Sequence, residues 1–247
     1  MSFSVHGLAV SRGQGSGIAI GRAVRVLSSR ANVAHYFIAP EQAEREVDRV
    51  RAARNVVVNE MQRLQLSLHD QANKDAPQEL SAILDVHLML LQDDTLADGV
   101  RHYIADRHYN AEWALTTQLE VVAAQFDAMH DPYMRERKGD LEQVVERVLA
   151  QLLGSAQVTE LNVSPEEPLV LIAHDLSPAD MIRFKRGVFT GFVTDVGGKT
   201  SHTAIVARSL GIPAIVGAKS ASQLVRQDDW VIVDADAGVL LVNPSEH

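Results

Sequence analysis

One histidine stands where chemistry is easiest to do. His202 lies in the run Val193-Thr-Asp-Val-Gly-Gly-Lys-Thr-Ser-His-Thr-Ala-Ile-Val-Ala-Arg208, where a mostly apolar, β-branched and aromatic stretch (188–196) stops at Gly197-Gly198. Thr200 or Ser201 is placed to accept hydrogen bonds from the free N–H groups of the next turn. Ala204, Ile205, Ala207, Arg208 and Leu210 then recur at helical spacing until Gly211-Ile-Pro213 stops them, so His202 falls in the first turn of a helix. The partial positive charge of a helix N-terminus disfavours imidazolium and favours an anion beside it, each by about 0.3–1 kcal/mol at an exposed site. A ring kept neutral in this way is a nucleophile. A phosphoryl group added to it meets the N–H groups of the turn, the Gly197-Gly198 loop, the hydroxyls of Thr200 and Ser201, and the cations Lys199 or Arg208. The pattern favours a phosphohistidine, with Asp195 and the glycines shaping the loop; the plainer alternative is a histidine that only caps the helix or is solvated. A nucleotide-binding P-loop at Gly198-Lys199-Thr200 is excluded, because position 193, where that motif needs glycine, is valine.

The elements around this segment form two kinds of sequence. Residues 7–27 predict two short strands about a Gly-rich turn, Arg12-Gly-Gln-Gly-Ser16. From Pro40, Val47, Val50, Val57, Met61, Leu64 and Leu68 recur in alternating steps of three and four, with Arg54 where one position of the stripe should be apolar; this is a long amphipathic helix. Asn73-Lys-Asp-Ala-Pro77 ends it, and Pro77 opens a second helix through about Gln92. A third runs from Asp93 or Asp94 to about His108, a fourth from Asn110 as cap to about Met129, and a fifth from Pro132 to Leu153, ended by Gly154. After Gly154 the α/β pattern returns, with a buried strand at Pro168-Leu-Val-Leu-Ile-Ala-His174 and a helix start at Ser177. A strand at Pro213–Val216, a short helix over Ser220–Arg226 and a hairpin of 230–234 with 238–242 follow. His174 and Asp175 sit at the C-terminal end of a strand, where sites often form, although a structural role suits His174 as well.

Composition narrows the function classes. The 247 residues carry a net charge of −9, and 46% are hydrophobic. Residues 40–153 hold 21 Asp and Glu against 12 Lys and Arg, and the rest hold 11 of each, so the whole excess (12 − 21 = −9) lies in the helical middle. An acidic helical surface argues against nucleic acid and for a basic protein partner or simple solubility. No stretch is apolar enough to span a bilayer and no secretion signal begins the chain, so a cytoplasmic protein without membrane contact is expected. There is no cysteine, hence no disulfide or thiolate chemistry. The ten histidines are scattered without ligand spacing, so no metal site is expected.

Gly-Gly-Lys-Thr-Ser-His-Thr-Ala-Ile-Val-Ala-Arg followed by Gly-Ile-Pro-Ala-Ile-Val-Gly217 closely resembles the phosphohistidine segment of Enzyme I, the phosphoenolpyruvate–protein phosphotransferase family of the bacterial sugar phosphotransferase system. Ser-Gly-Ile-Ala-Ile-Gly-Arg-Ala near the start resembles that family's opening segment, and Val86-His-Leu-Met-Leu-Leu-Gln-Asp-Asp-Thr-Leu96 its first-to-second helix junction. Related dikinases place an ATP-grasp domain before the swivelling phosphohistidine domain, and there is no room for one here.

The resemblance implies α/β plus all-α architecture. A swivelling phosphohistidine subdomain at 1–36 and 155–247 carries an inserted helical-bundle subdomain at 37–154 that docks the phosphocarrier protein HPr. It implies that His202 accepts phosphate, through Nε2, and passes it to a histidine of HPr, with Asp195, Gly197, Gly198, Lys199, Thr200, Ser201 and Arg208 supporting the phosphoryl loop. It places the partner surface at Glu79, His87, Met89, Leu90, Asp93, Asp94, Leu96 and Arg137, although Leu88, Leu91 and part of Met89-Leu90 suit bundle core equally, and His87 suits a structural or rim role. No cofactor is expected in the part present; Mg²⁺ and phosphoenolpyruvate belong to a barrel domain that the family adds, together with its homodimer interface, so a monomer is expected. A nitrogen-branch or fused paralogue of Enzyme I, and a non-catalytic docking module, are the alternative readings.

Overall fold

The computed structural model describes residues 2–10, 17–26, 33–70, 76–154, 167–177, 180–181, 189–198 and 201–244; the Gly-rich turn at 12–16 lies outside them, as do Lys199 and Thr200. The chain divides into two compact units. Met1–Ser28, Ala72–Leu80 and Leu161–His247 form the first, and Ser29–Gln71 with Ser81–Glu160 form the second. Ala72–Leu80, which the sequence reading put with the helices, groups with the first unit.

The first unit is built on one eight-stranded mixed sheet. Its strands are β1 (Phe3–His6), β2 (Leu8–Val10), β3 (Ile18–Val26), β4 (Leu169–Ala173), β5 (Phe189–Thr194), β6 (Ala214–Val216), β7 (Trp230–Asp234) and β8 (Val239–Val242). They lie in the order β1-β8-β7-β3-β4-β5-β6-β2, with β3 through β6 parallel. β1 and β2 are joined by Gly7 alone yet stand at opposite ends of that order. One residue spans at most about 3.6 Å, so the sheet curls until its two edges meet at Gly7. A side chain there has no room, since a Cβ on Gly7 would come 2.5 Å from Ile215 Cγ2 and 2.9 Å from the carbonyl oxygen of Val216. The interior is filled by Val170, Ile172, Val193, Ile215, Val231 and Val233, all fully buried. β4 is buried at every position, as a continuous apolar run in the parallel part of a sheet should be.

The second unit holds five long helices, α1 (Ala43–Asp70), α2 (Ala76–Gln92, whose first residues group with the other unit), α3 (Asp94–Arg107), α4 (Ala111–Asp127) and α5 (Pro132–Leu152). Val57 and Met61 on the apolar stripe of α1 are 0% exposed, a burial that stabilises by roughly 1.5–3 kcal/mol per side chain. Arg54, the polar interruption of that stripe, is half-buried. Asp93 caps α3, its carboxylate accepting from Thr95 N at 2.7 Å, and His108 closes the helix in the left-handed conformation.

Asn110 stands at the N-cap of α4, but its side chain does not cap the helix. Its Oδ1 accepts from Tyr36 N and its Nδ2 donates to Glu112 Oε2 at 2.8 Å, while the free Ala111 N–H is taken by Glu46 Oε2 of α1 at 2.9 Å. The helix start is therefore capped by a neighbouring helix, which leaves the asparagine to tie down the incoming chain. Among the described residues no helix is long and apolar enough to cross a membrane.

Candidate active site

The strand–loop–helix expected about His202 is present. β5 ends at Thr194, a loop described over 195–198 follows, and helix α6 (His202–Leu210) begins at its N-cap Ser201, whose Oγ accepts from Ala204 N at 3.3 Å. Gly197 has φ +109°, and a Cβ there would press on Ser201 Oγ at 3.2 Å and Val216 Cβ at 3.3 Å, so the turn requires glycine. Gly211 ends the helix in the left-handed conformation with φ +66°. His202 is thus the first residue of α6, on the positive end of its dipole; its side chain lies outside the described residues.

The loop is braced on both sides. Asp195 N and Val196 N donate to the carbonyls of Ala173 and His174 at the end of β4 (3.1 and 3.2 Å). From the other side Gly217 N, Ala218 N and Lys219 N donate to the carbonyls of Val196, Thr194 and Asp195, and Thr194 Oγ1 donates to Val196 O. Asp195 is 3% exposed, and its carboxylate is held by Ser222 N at 2.9 Å and by a short hydrogen bond from Ser222 Oγ, with His174 Nδ1 at 3.4 Å. A buried carboxylate satisfied in this way fixes the loop and leaves no polar orphan. Thr203, next to His202, is buried and donates from Oγ1 to Leu176 O at 3.2 Å, which anchors the first turn of α6 to the segment after β4. There Ser177 and Asp180 form a reciprocal cap, Ser177 Oγ donating to Asp180 Oδ2 at 2.6 Å and accepting from Asp180 N.

The sequence reading named Asp195 but missed Ser222, which lies 27 residues away and carries no local signal, and Lys219, which enters the loop brace in a left-handed conformation with φ 62°. Arg208 stands in the last turn of α6, six residues and about 9 Å along the axis from His202, where a cation complements the helix C-terminus.

The residues expected at a partner surface separate by depth. Asp93 and Asp94 are exposed, Met89 is 64% exposed and Leu90 half-buried, giving the α2–α3 junction an apolar knob beside carboxylates. His87 is a correction: at 0% exposure it cannot meet a partner, and its Nε2 lies 3.5 Å from Asp140 Oδ1. Asp140 in turn accepts from Arg137 Nη1 at 2.8 Å, so buried Asp140 of α5 stands between buried His87 of α2 and the half-buried Arg137 of its own helix. Leu96, 7% exposed, is wall rather than surface, and the side chain of Glu79 lies outside the described residues.

Residues 6–137 match the family described as PEP-utilising enzyme, N-terminal, and residues 165–238 match the PEP-utilising enzyme mobile domain. The chain belongs to the PEP-utilising enzymes. Within them it belongs with Enzyme I: it is 35% identical to an Enzyme I protein solved by NMR in solution, with TM-score 0.68, covering 98% of this chain and 94% of that one. The N-terminal domain of Enzyme 1 - Nitrogen is 29% identical with TM-score 0.63 over the same shares. A phosphoenolpyruvate-protein phosphotransferase of Cupriavidus necator is 50% identical over 99% of this chain and 42% of its own length, and one of Bacillus subtilis is 35% identical over 94% and 40%. The chain therefore spans about two fifths of the length of these curated relatives. The α/β plus helical architecture expected from the resemblance is the one observed.

Proposed function

We propose that this chain carries a phosphoryl group on His202 and exchanges it with a histidine of the phosphocarrier protein HPr, as the amino-terminal part of a phosphoenolpyruvate–protein phosphotransferase. The observation that carries the proposal is the braced Gly197-Gly198 loop delivering His202 as first residue of a helix capped by Ser201, in a chain of the Enzyme I family. A neutral imidazole of His202 attacks phosphorus as the P–N bond to the carrier histidine breaks, and the carrier imidazole leaves neutral, so no proton has to move. The free N–H groups of the first turn face the charge that spreads over the phosphoryl oxygens. Ser201, Gly197 and Asp195 act by holding that turn in place, and we assign Lys199 and Thr200 to the same loop.

Met89, Leu90, Asp93 and Asp94 form the proposed seat of HPr, an apolar contact ringed by carboxylates for a carrier whose active histidine is flanked by basic groups. Among the described residues no three potential ligands gather about a point. Phosphoenolpyruvate and Mg²⁺ are assigned to the length of the relatives that this chain does not span, and the cytoplasm to the protein as its place of work.

The test is to mix the chain with phosphorylated HPr and follow intact mass and phosphorus NMR before and after brief acid. One acid-labile phosphoryl group is expected on the wild type and none on His202→Ala with the fold unchanged. Residual acid-labile phosphate on that variant, or none on the wild type, sinks the assignment. Met89→Asp should weaken HPr binding about tenfold while leaving the thermal transition in place.

A further inference from the structure

The helical unit contains a pocket of about 190 Å³ that the phosphoryl-transfer reading does not use. Its walls are apolar side chains from four helices, among them Val50 of α1, Leu96, Val100 and Ile104 of α3, Leu115 of α4 and Val148 of α5. Most of these are almost fully buried, and yet the space between them is not filled by protein. Interiors rarely leave such gaps, and an apolar hollow of this size readily takes an apolar guest.

Four charged residues also line it: Arg51, Arg54, Asp98 and Arg101. Arg51, Asp98 and Arg101 are exposed and mark the mouth. Arg51 has Asp48 at 3.0 Å and Arg101 has Glu44 at 3.9 Å, both solvent-exposed pairs. Arg54 differs from both. It is half-buried, it occupies a position of the α1 stripe where helical spacing calls for an apolar side chain, and it makes no ion pair or hydrogen bond with any described residue. A guanidinium without an acid partner beside an apolar hollow is the expected partner of a ligand that supplies one.

We infer that this pocket binds a small amphiphilic carboxylate, its tail against Val50, Val100 and Ile104 and its head forked on Arg54. A phosphate ester fits less well, because a second negative charge would face Asp98 with only one cation uncommitted. The volume corresponds to roughly six water-sized spaces, enough for a tail of a medium-chain acid and too little for a long one. This site is independent of His202, and its test does not involve phosphoryl transfer.

Octanoate is the probe, titrated into the chain with methyl groups of valine, leucine and isoleucine observed by NMR. The expected result is a saturable one-to-one shift centred on Val50, Val100 and Ile104, with octanol binding at least about tenfold more weakly because it cannot fork on a guanidinium. Arg54→Met should lose a similar factor and still fold, since removing Arg54 orphans no described group. Ala97→Phe, at the half-buried rim, should abolish the shifts by filling the space. Failure to saturate at about 10 mM octanoate, or octanol and Arg54→Met matching the acid and the wild type, overturns the inference.

Discussion

Asp195 in the α/β unit and Glu46 with Glu112 in the helical unit are all buried carboxylates, at 3%, 8% and 6% exposure, yet they are neutralised by different means. Glu46 and Glu112 share one cation: Arg49 donates from Nη1 to Glu46 at 2.8 Å and from Nη2 to Glu112 at 2.6 Å. Burial alone would lower the affinity of Arg49 for its proton, but the hydrogen bonds to Glu46 and Glu112 outweigh it and hold the guanidinium above its ordinary value. Asp195 has no Lys or Arg partner among the described residues and is held by the N–H and hydroxyl of Ser222. In the bundle a guanidinium fork spans two helices and fixes their spacing. In the α/β unit the same charge is met by the N–H and hydroxyl dipoles of Ser222, which hold Asp195 without a guanidinium fork.

The largest effect should come from Asp195→Ala. It leaves the N–H and hydroxyl of Ser222 buried and unpaired, and a cost of about 3 kcal/mol in urea unfolding of the α/β unit is expected, since each buried orphan costs about 1–3 kcal/mol. Asp195→Asn keeps the shape and one acceptor and should lose about half as much. If the asparagine variant were as stable as wild type, the charge of Asp195 would be irrelevant and the contrast with Arg49 would fail. Arg49→Met should cost about 2 kcal/mol, less than the 3–5 typical of breaking a buried pair because Arg49 is about a third exposed and water screens what remains. Arg49→Lys, which keeps the charge but cannot fork, should recover only part of this. Full recovery would mean that charge rather than geometry ties α1 to α4.

His174 offers a sharper test of the same contrast. Its Nδ1 is 3.4 Å from Asp195 and its side chain is 57% exposed, so the dipole account makes it a bystander to stability. His174→Gln should change unfolding at pH 7.5 by no more than about 0.5 kcal/mol; a larger loss would mean that Asp195 leans on an imidazolium after all.

What was legible in the sequence follows the range of the interactions. The turn at Gly197-Gly198, the Ser201 cap and the stop at Gly211 are decided within a few residues, so the strand–loop–helix about His202 could be read directly. The stripe of α1 could be read for the same reason, with Arg54 already visible as its exception. The brace on Asp195 depends on Ser222, and the capping of α4 depends on Glu46 of α1, 65 residues from the Ala111 N–H it accepts. Neither has a local pattern. The closure of the sheet is hidden for a similar reason: β1 is a four-residue edge strand whose place is fixed by β8 at the far end of the chain. His87 illustrates a different limit. On a helix whose apolar residues run nearly without break from Val86 to Leu91, spacing does not reveal which side faces solvent, and the burial of His87 against Asp140 had to be seen.

The smallest expected effect belongs to Lys138, and its sign separates exposed pairing from the buried kind. Lys138 Nζ lies 2.6 Å from Asp127 Oδ2 on the surface, and that hydrogen bond raises the lysine above its ordinary value of 10.5 against a slight opposing effect of burial. A group whose proton is held more tightly in the folded state stabilises the fold fully below its unfolded pKa and loses that contribution as pH rises through the folded value. Lys138→Met should therefore lower the urea midpoint slightly and by a constant amount between pH 6 and 9, in keeping with the few tenths of a kcal/mol of exposed pairs. Above about pH 10.5 the difference between variant and wild type should shrink. A deficit as large as that of Arg49→Met, or one that grew with pH, would show that surface and buried pairs act alike here and would remove the reason for treating the Arg49 fork as special.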